Sequence, residues 1–354
     1  MIVEHNVPLQ AHNSFGIVAK ARSLVRVRSE TDIRELLADP AQRAATKFVL
    51  GGGSNIVLTG DVKPLVLKVE VMGRRVLEDG PKAVVLEAGA GENWHGFVTW
   101  TLDRGHAGLE NLALIPGTVG ASPVQNVGAY GVELQDRFDS LDAIDLATGR
   151  LFTLDAGQCG FGYRDSVFKH APPTEGLDGA TLARGMGLAG RALILRVRFR
   201  LPKPWKPVLD YLDLQRKAHE TGIAAPTARQ IYDWVCAIRS HKLPDPRVLG
   251  NAGSFFKNPT VTPEQCQDII AREPNIVHYP MPDGSIKLAA GWLIDACGWK
   301  GKSVGNAGVY EKQALVLVNR GGATSGEVVT LARAIQTSVY ERFGIRLEPE
   351  PVVV

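Results

Sequence analysis

Two glycine-rich stretches, Gly51-Gly52-Gly53-Ser54-Asn55 and Pro116-Gly117-Thr118-Val119-Gly120-Ala121-Ser122, each follow an apolar run. They restrict what this chain can fold into more than any other feature. Residues without a Cβ let the backbone turn through φ > 0 and approach a ligand closely, so successive N–H groups can converge on phosphate oxygens. Ser54, Thr118 and Ser122 add hydroxyls. GGGSN alone reads first as a hairpin turn. The second loop and a third, Asn126-Val127-Gly128-Ala129-Tyr130-Gly131, favour one dinucleotide cradle instead. That cradle is not of the Rossmann kind, because the strand-like Ile56-Val57-Leu58 follows GGGSN where a helix is required. A literal GxGxxG, Gly185 to Gly190, lacks a preceding strand and leads into the alternating segment Leu193 to Phe199. There is no GxxxxGK, which removes support for ATPase or kinase chemistry.

At 354 residues the chain exceeds what one core usually holds, so two domains are expected. A net charge of +3 is small for that length and gives no reason to invoke nucleic acid or a membrane surface as partner. Cys159, Cys236, Cys266 and Cys297 lack CxxC spacing, which suits reduced thiols in a cytoplasm better than disulfides or a metal site. The first residues show no basic stretch followed by an apolar core, and no run is long enough to cross a bilayer. A soluble, unexported protein is the expectation.

Short strands mixed with helices are expected up to about Leu201. They include Leu24 to Arg28, Lys47 to Leu50, Ala83 to Glu87, Leu141 to Leu146 and Leu193 to Phe199. Thr31 opens a helix that Pro40 ends, and Asn93 to Asp103 is a helix with Trp94, Phe97, Val98 and Leu102 on one side. Ala171 to Gly190 reads as a surface insertion. The alternating prolines 202, 204 and 207 make an extended spacer, so residues 1–201 and 208–354 are the expected domains. In the second, a helix starts at Pro226, Thr262-Pro263-Glu264-Gln265 is a capping box, Lys287 to Cys297 is a short helix, and Glu327 to Phe343 is a long one stopped by Gly344.

Several segments, in this order and spacing, carry a resemblance over nearly the whole chain: Asn13-Ser14-Phe15, GGGSN, Gly108-Leu109-Glu110 through Gly131, Tyr163-Arg164-Asp165-Ser166, Leu243-Pro244-Asp245-Pro246, Gly250 through Asn258, Leu288 through Asp295, and Leu347-Glu348-Pro349-Glu350. The chain resembles the UDP-N-acetylenolpyruvoylglucosamine reductases, in the branch with a substrate-capping tyrosine loop. The resemblance implies an α+β protein: a vanillyl-alcohol-oxidase/PCMH-type FAD-binding domain followed by a smaller α+β substrate-binding domain. It also implies non-covalent FAD, NADPH as hydride donor, and reduction of UDP-N-acetylglucosamine enolpyruvate to UDP-N-acetylmuramate for peptidoglycan, by a cytoplasmic monomer. Hydride reaches the methylene carbon of the enol ether, and negative charge develops on the neighbouring carbon and its carboxylate. Stabilising that charge is the protein's main task.

By the same resemblance the cofactor is held by Gly51, Gly52, Gly53, Ser54, Asn55, Pro116, Gly117, Thr118, Gly120, Ala121, Ser122, Asn126, Gly128 and Arg239. Arg164 matches the arginine on the substrate carboxylate, Ser254 the proton donor to the enolate carbon, and Glu350 a glutamate that must hold or share a proton beside that carboxylate. Tyr163, Tyr211, Lys242, Asn258, Tyr279, Lys300 and Gln313 match substrate contacts. Read without the resemblance, Arg164 pairs with Asp165, Ser254 is a turn serine, Glu348 and Glu350 are a solvated C-terminal pair between which only motif position chooses, the lysines are solvated and the tyrosines are core. After Glu350 the family's basic residue is replaced by Pro351-Val352-Val353-Val354. Neither loop offers a histidine or cysteine for covalent flavin attachment, although His95 and His106 lie close in sequence. Two other functions stay open at this level: an oxidase or dehydrogenase of a sugar or lactone on the same fold, and a non-catalytic flavin or nucleotide-sugar binding protein.

Overall fold

A computed structural model describes residues 2–172 and 187–354. Most of the 171–190 insertion therefore lies outside the described residues, as does the start of the GxGxxG sequence. Contacts divide the chain into one unit of Met1–Val7, Ala21–Gly52 and Lys63–Arg239, and a second of Pro8–Lys20, Gly53–Val62 and Ser240–Val354.

The first unit holds two sheets. In one, strands Lys20–Val27, Leu65–Val69 and Lys47–Leu50 run parallel, with Glu4–Pro8 outside Lys20–Val27. Leu65–Val69 is buried at four of its five positions, as a strand covered on both faces requires. The other sheet is antiparallel, ordered Leu151–Asp155, Phe138–Asp145, Ala192–Pro202, Ala83–Gly89, Arg74–Asp79. The helix Trp94–Asp103 begins at Asn93, whose side chain accepts from the Gly96 N–H. It packs Trp94 and Phe97 on Phe199, with ring centroids 5.8 and 5.0 Å apart. Burying each such side chain contributes about 1.5–3 kcal/mol. The first helix starts earlier than Thr31: Ser29 caps Glu30–Ala38 in a reciprocal box with Asp32. Pro40 does more than end it, because Asp39 caps a second short helix with Pro40 in its first turn.

The division between units at Arg239 lies well beyond the expected spacer at 202–207. The reason is anchoring. The Trp205 indole donates to Glu110 Oε1 at 2.6 Å, while Glu110 Oε2 accepts from the Gly108 N–H at 2.6 Å. The amide of Asn111 donates to the carbonyls of both Val208 and Tyr130, at 3.0 and 2.8 Å. Glu110 and Asn111 are buried, so this proline-rich segment is stapled to the first unit. Both partners of Glu110 are donors, so Glu110→Gln turns an amide N–H toward one of them. The variant should lose about 1–3 kcal/mol of stability in a denaturant melt; an unchanged midpoint contradicts the staple.

In the second unit, Gly250–Ser254, Val316–Asn319, Ala307–Val309 and Ser303–Val304 form an antiparallel sheet. The helix expected from Lys287 is shorter. Ile286–Leu288 is a strand paired on both sides, with Thr260–Val261 and His278–Pro280, and the helix is Ala290–Ala296. The Thr262 capping box is present, and a second one, Thr324 with Glu327, opens Ser325–Phe343. Gly344, at φ 71°, ends that helix. Val352–Val353 lies parallel to Ile56–Val57, so the PVVV tail is a sheet strand.

Candidate functional site

In the first unit, the strand Lys47–Leu50 delivers Gly51, whose carbonyl accepts from the Lys68 ammonium. Burial pushes the Lys68 pKa down from its ordinary value. The two glycine loops then meet. A Cβ on Gly52 would lie 2.9 Å from Gly117 Cα, and one on Gly51 would lie 2.9 Å from Thr118 Oγ1. Among the described residues, that Thr118 hydroxyl is the one buried side-chain polar atom without a hydrogen-bond partner. An orphaned buried hydroxyl costs about 1–3 kcal/mol and calls for a ligand. Among the described residues, no backbone bond in these loops uses the N–H of Gly51, Gly52, Gly117 or Thr118. Together these groups fit a pyrophosphate.

The second loop offers fewer amides than expected. The N–H groups of Val119 and Gly120 bond to Glu92 and Ala90, and those of Ala121 and Ser122 bond back to Thr118 and Val119. The Ser122 hydroxyl donates to the Val119 carbonyl at 2.7 Å. Gly120 serves packing, since a Cβ there would sit 2.4 Å from Ala90 Cβ. Ala121 lies beside Gly51, and Pro116 is exposed at the loop's start.

Asn126 ties the third loop to the Arg164 turn. Its Nδ2 donates to Glu133 and to the Gly162 carbonyl, and its Oδ1 accepts from the Gln135 N–H. Gly162 and Asp165 bond to each other in both directions around Arg164. The Arg164 guanidinium donates to the Gly128 carbonyl at 3.0 Å and lies 5.4 Å from the Tyr163 ring centre. Asp165 engages His170 at 2.9 Å. Among the described residues five non-glycines have positive φ: Asn6, Leu114, Asn126, Tyr130 and Arg164. Three of the five, Asn126, Tyr130 and Arg164, fall in these loops and Leu114 lies just ahead of the second; backbone strain of this kind clusters at functional sites.

Arg239 Nε donates to the Leu114 carbonyl at 3.3 Å. Burial lowers its pKa, the Arg164 charge adds to that, and Tyr130 and Tyr211 act the other way. Arg239 thus lies within electrostatic reach of Arg164, Tyr130 and Tyr211. Burial pushes the Tyr130 phenol up to about 12. Tyr211, expected in the substrate domain, belongs to the first unit and meets Tyr130 edge-on at 5.1 Å.

The second unit contains Gly53, Ser54 and Asn55. A Cβ on Gly53 would overlap the His12 carbonyl at 2.0 Å. Asn55 Nδ2 donates to the Glu350 carbonyl at 3.3 Å, and the Val352 N–H donates to the Asn55 carbonyl. Ser254 ends the strand Gly250–Ser254, and the Glu350 N–H donates to the carbonyl of the next residue, Phe255, at 2.9 Å. Ser254 and Glu350, far apart in the chain, therefore lie on neighbouring backbone. Glu348 is drawn off by Lys257 at 2.6 Å.

Asn258 Oδ1 accepts from the Ala290 N–H, and Gln313 Oε1 from the Leu315 N–H. A Cβ on Gly291 would lie 3.0 Å from Gln313 Oε1, so Asn258 and Gln313 flank the start of one helix. Lys300 pairs with Asp295, Lys242 is half-buried, and Tyr279 is exposed on the strand His278–Pro280. Sequence reasoning gave Lys68 and Leu114 no place here, for want of a local signal, and Tyr130 one only as a member of the third loop. It treated His95 only as a covalent-attachment question, yet both ring nitrogens of His95 face protein partners.

Residues 21–155 match the family model of an FAD binding domain, and residues 245–354 match that of the UDP-N-acetylenolpyruvoylglucosamine reductase C-terminal domain. A UDP-N-acetylenolpyruvoylglucosamine reductase of Azoarcus sp. is 57% identical over 97% of this chain and 95% of its own length. One of Burkholderia vietnamiensis is 55% identical over 98% and 95%. Among solved structures, the UDP-N-acetylenolpyruvylglucosamine reductase of Thermus caldophilus matches 100% of this chain and 99% of its own with TM-score 0.65 and 23% identity. The 4-ethylphenol oxidase of Gulosibacter chungangensis matches 99% and 84% with TM-score 0.50 and 13% identity. Those two likenesses concern the fold, which is α+β with an FAD-binding part of the vanillyl-alcohol-oxidase/PCMH type.

Proposed function

Since the chain belongs to the UDP-N-acetylenolpyruvoylglucosamine reductase family and is an FAD-dependent oxidoreductase using NADPH, we propose that Arg164, Ser254 and Glu350 carry its chemistry. Bound FAD supplies the two-electron relay between NADPH and the enolpyruvyl double bond. Arg164 offers paired donors and a permanent charge to the substrate carboxylate, where negative charge grows as the double bond is reduced. Ser254 gives its hydroxyl proton to the neighbouring carbon; a hydroxyl is a weak acid, but a carbanion-like carbon is basic enough to take it. Glu350 shares a proton with the carboxylate and polarises it. The bond from the Glu350 N–H to the Phe255 carbonyl supports this pairing most directly, because it seats the acid beside Ser254.

For the cofactor, we assign the pyrophosphate to the N–H groups of Gly51, Gly52, Gly117 and Thr118 with the Thr118 hydroxyl, and Arg239 to the ring end. Lys242, Asn258, Lys300 and Gln313 take the sugar nucleotide, with Tyr163, Tyr211 and Tyr279 as aromatic contacts. We read residues 1–201 as the cofactor part and 208–354 as the substrate part of a cytoplasmic monomer in peptidoglycan synthesis, cell shape and division. Among the described residues no helix is long and apolar enough to cross a membrane. The test is an anaerobic titration in two steps. NADPH should bleach the yellow protein, and UDP-N-acetylglucosamine enolpyruvate should restore the colour in stoichiometric amount. Restoration by oxygen but not by that substrate would overturn the assignment.

A further inference from the structure

His95 lies on the helix Trp94–Asp103 and closes a ring of hydrogen bonds with Tyr232 and Thr99. The Leu114 N–H donates to His95 Nδ1 at 3.0 Å, so that nitrogen is unprotonated. The ring proton therefore sits on Nε2, which faces Tyr232 Oη at 3.3 Å. The Thr99 hydroxyl donates to the His95 carbonyl at 2.9 Å and must accept from Tyr232 Oη at 2.7 Å. The His95 and Tyr232 rings stack at 5.6 Å with an 8° tilt, which fixes the imidazole's orientation. Its acceptor nitrogen is thus aimed at one peptide.

That peptide matters. Leu114 has φ 58°, a conformation that costs a bulky residue about 1–3 kcal/mol unless its surroundings impose it. Its carbonyl receives Arg239, and Ile115 and Pro116 lead directly to Gly117 and the orphaned Thr118 hydroxyl. We propose that His95 is a positioning residue for the flavin: its neutral Nε2–H form holds Leu114 in the left-handed conformation that aligns both Arg239 and the 116–118 loop, and its protonation releases them. This rests on the pyrophosphate reading of those loops.

Protonation would put an N–H on Nδ1 facing the N–H of Leu114, two donors without an acceptor. Burial lowers the His95 pKa, and the Arg239 charge adds to this. Arg239, which stays charged, acts on it and Tyr232, whose pKa burial raises, faces it, both on the helix Ala228–Lys242; Arg229, which stays charged, and Cys236, whose pKa burial raises, neighbour Tyr232 on the same helix. His95 alone among these changes charge between about pH 5 and 8. The signs follow. If FAD requires the neutral ring, affinity is constant while His95 is neutral and falls about tenfold per pH unit below its pKa, which lies under the ordinary value of about 6.5. Simple attraction of the pyrophosphate by a new cation would raise affinity in acid instead.

The experiment titrates FAD into the full-length apoprotein from pH 5 to 8, reading flavin fluorescence, for wild type, His95→Asn and His95→Leu. Asparagine places an oxygen near the Nδ1 position and does not titrate. His95→Leu should weaken FAD binding about tenfold or more at pH 7.5, where the lost acceptor costs one hydrogen bond and frees a strained peptide. His95→Asn should bind close to wild type at that pH and show no acid limb. Wild-type affinity for His95→Leu, or an acid limb kept in His95→Asn, overturns the proposal. If wild type itself takes up no FAD, the cofactor reading fails rather than the role of His95. Unfolding midpoints of the apoproteins, compared at pH 7.5, separate loss of fold from loss of alignment.

Discussion

Ser254→Ala should leave reduction of the bound flavin by NADPH at its wild-type rate while slowing reoxidation by UDP-N-acetylglucosamine enolpyruvate by roughly 10²–10⁴-fold. That range is what a positioned general acid contributes. The asymmetry follows from when the proton is needed: NADPH gives up hydride with no new bond to carbon on the substrate, so the serine has nothing to do in the first half-reaction. Within the described residues no hydrogen bond engages the Ser254 hydroxyl. The strand Gly250–Ser254 fixes its Cα, because the Phe255 N–H bonds to the Leu315 carbonyl and the Phe255 carbonyl receives Glu350. Removing one oxygen at such a place perturbs chemistry more than fold. Stopped-flow traces of each half-reaction decide the matter. Equal slowing of both would show a structural serine, and no slowing of either would show that the proton comes from elsewhere.

What could be read from sequence was local. The Thr262 box, the Gly344 stop and the Asn93 helix depend on residues a few positions apart, and each is where expected. Pairings across long loops were not legible. The proline pattern at 202–207 reads as an extended spacer, and nothing in it reveals that Trp205 meets Glu110. Lys287 and Leu288 read as the start of a helix because so short a stretch carries too little periodicity to oppose the apolar run that follows, and two neighbouring strands decide their state. The choice between Glu348 and Glu350 had rested on motif position alone. In the fold the two differ in their partners: the Glu348 carboxylate pairs with Lys257, and the Glu350 N–H bonds to the Phe255 carbonyl. Strain is equally hidden in sequence: Leu114, Tyr130 and Arg164 adopt glycine-like backbone angles in the fold with no residue type to announce it.

That strain makes Arg164 the sharpest test of the site, because its side chain and its backbone pull stability in opposite directions. At φ 54° an arginine costs about 1–3 kcal/mol relative to a relaxed residue, whereas glycine adopts that angle freely. Its guanidinium returns part of this through the bond to the Gly128 carbonyl, worth about 1 kcal/mol net. Arg164→Met keeps the strain and loses the bond, so its unfolding midpoint should drop. Arg164→Gly loses the bond, gains freedom in the unfolded chain and sheds the strain, which keeps it at least as stable as the methionine variant. Both should lose about 10²–10³-fold in turnover, the effect of removing one preorganised donor from developing charge. Most of that loss should fall on kcat, since the carboxylate gains charge only on the way to the transition state. Arg164→Lys, with the charge but not the paired donors, should lie between. Were Arg164 merely a brace for the turn, activity across the three variants would follow their melting order, and the glycine variant would be the more active of the two that lack charge.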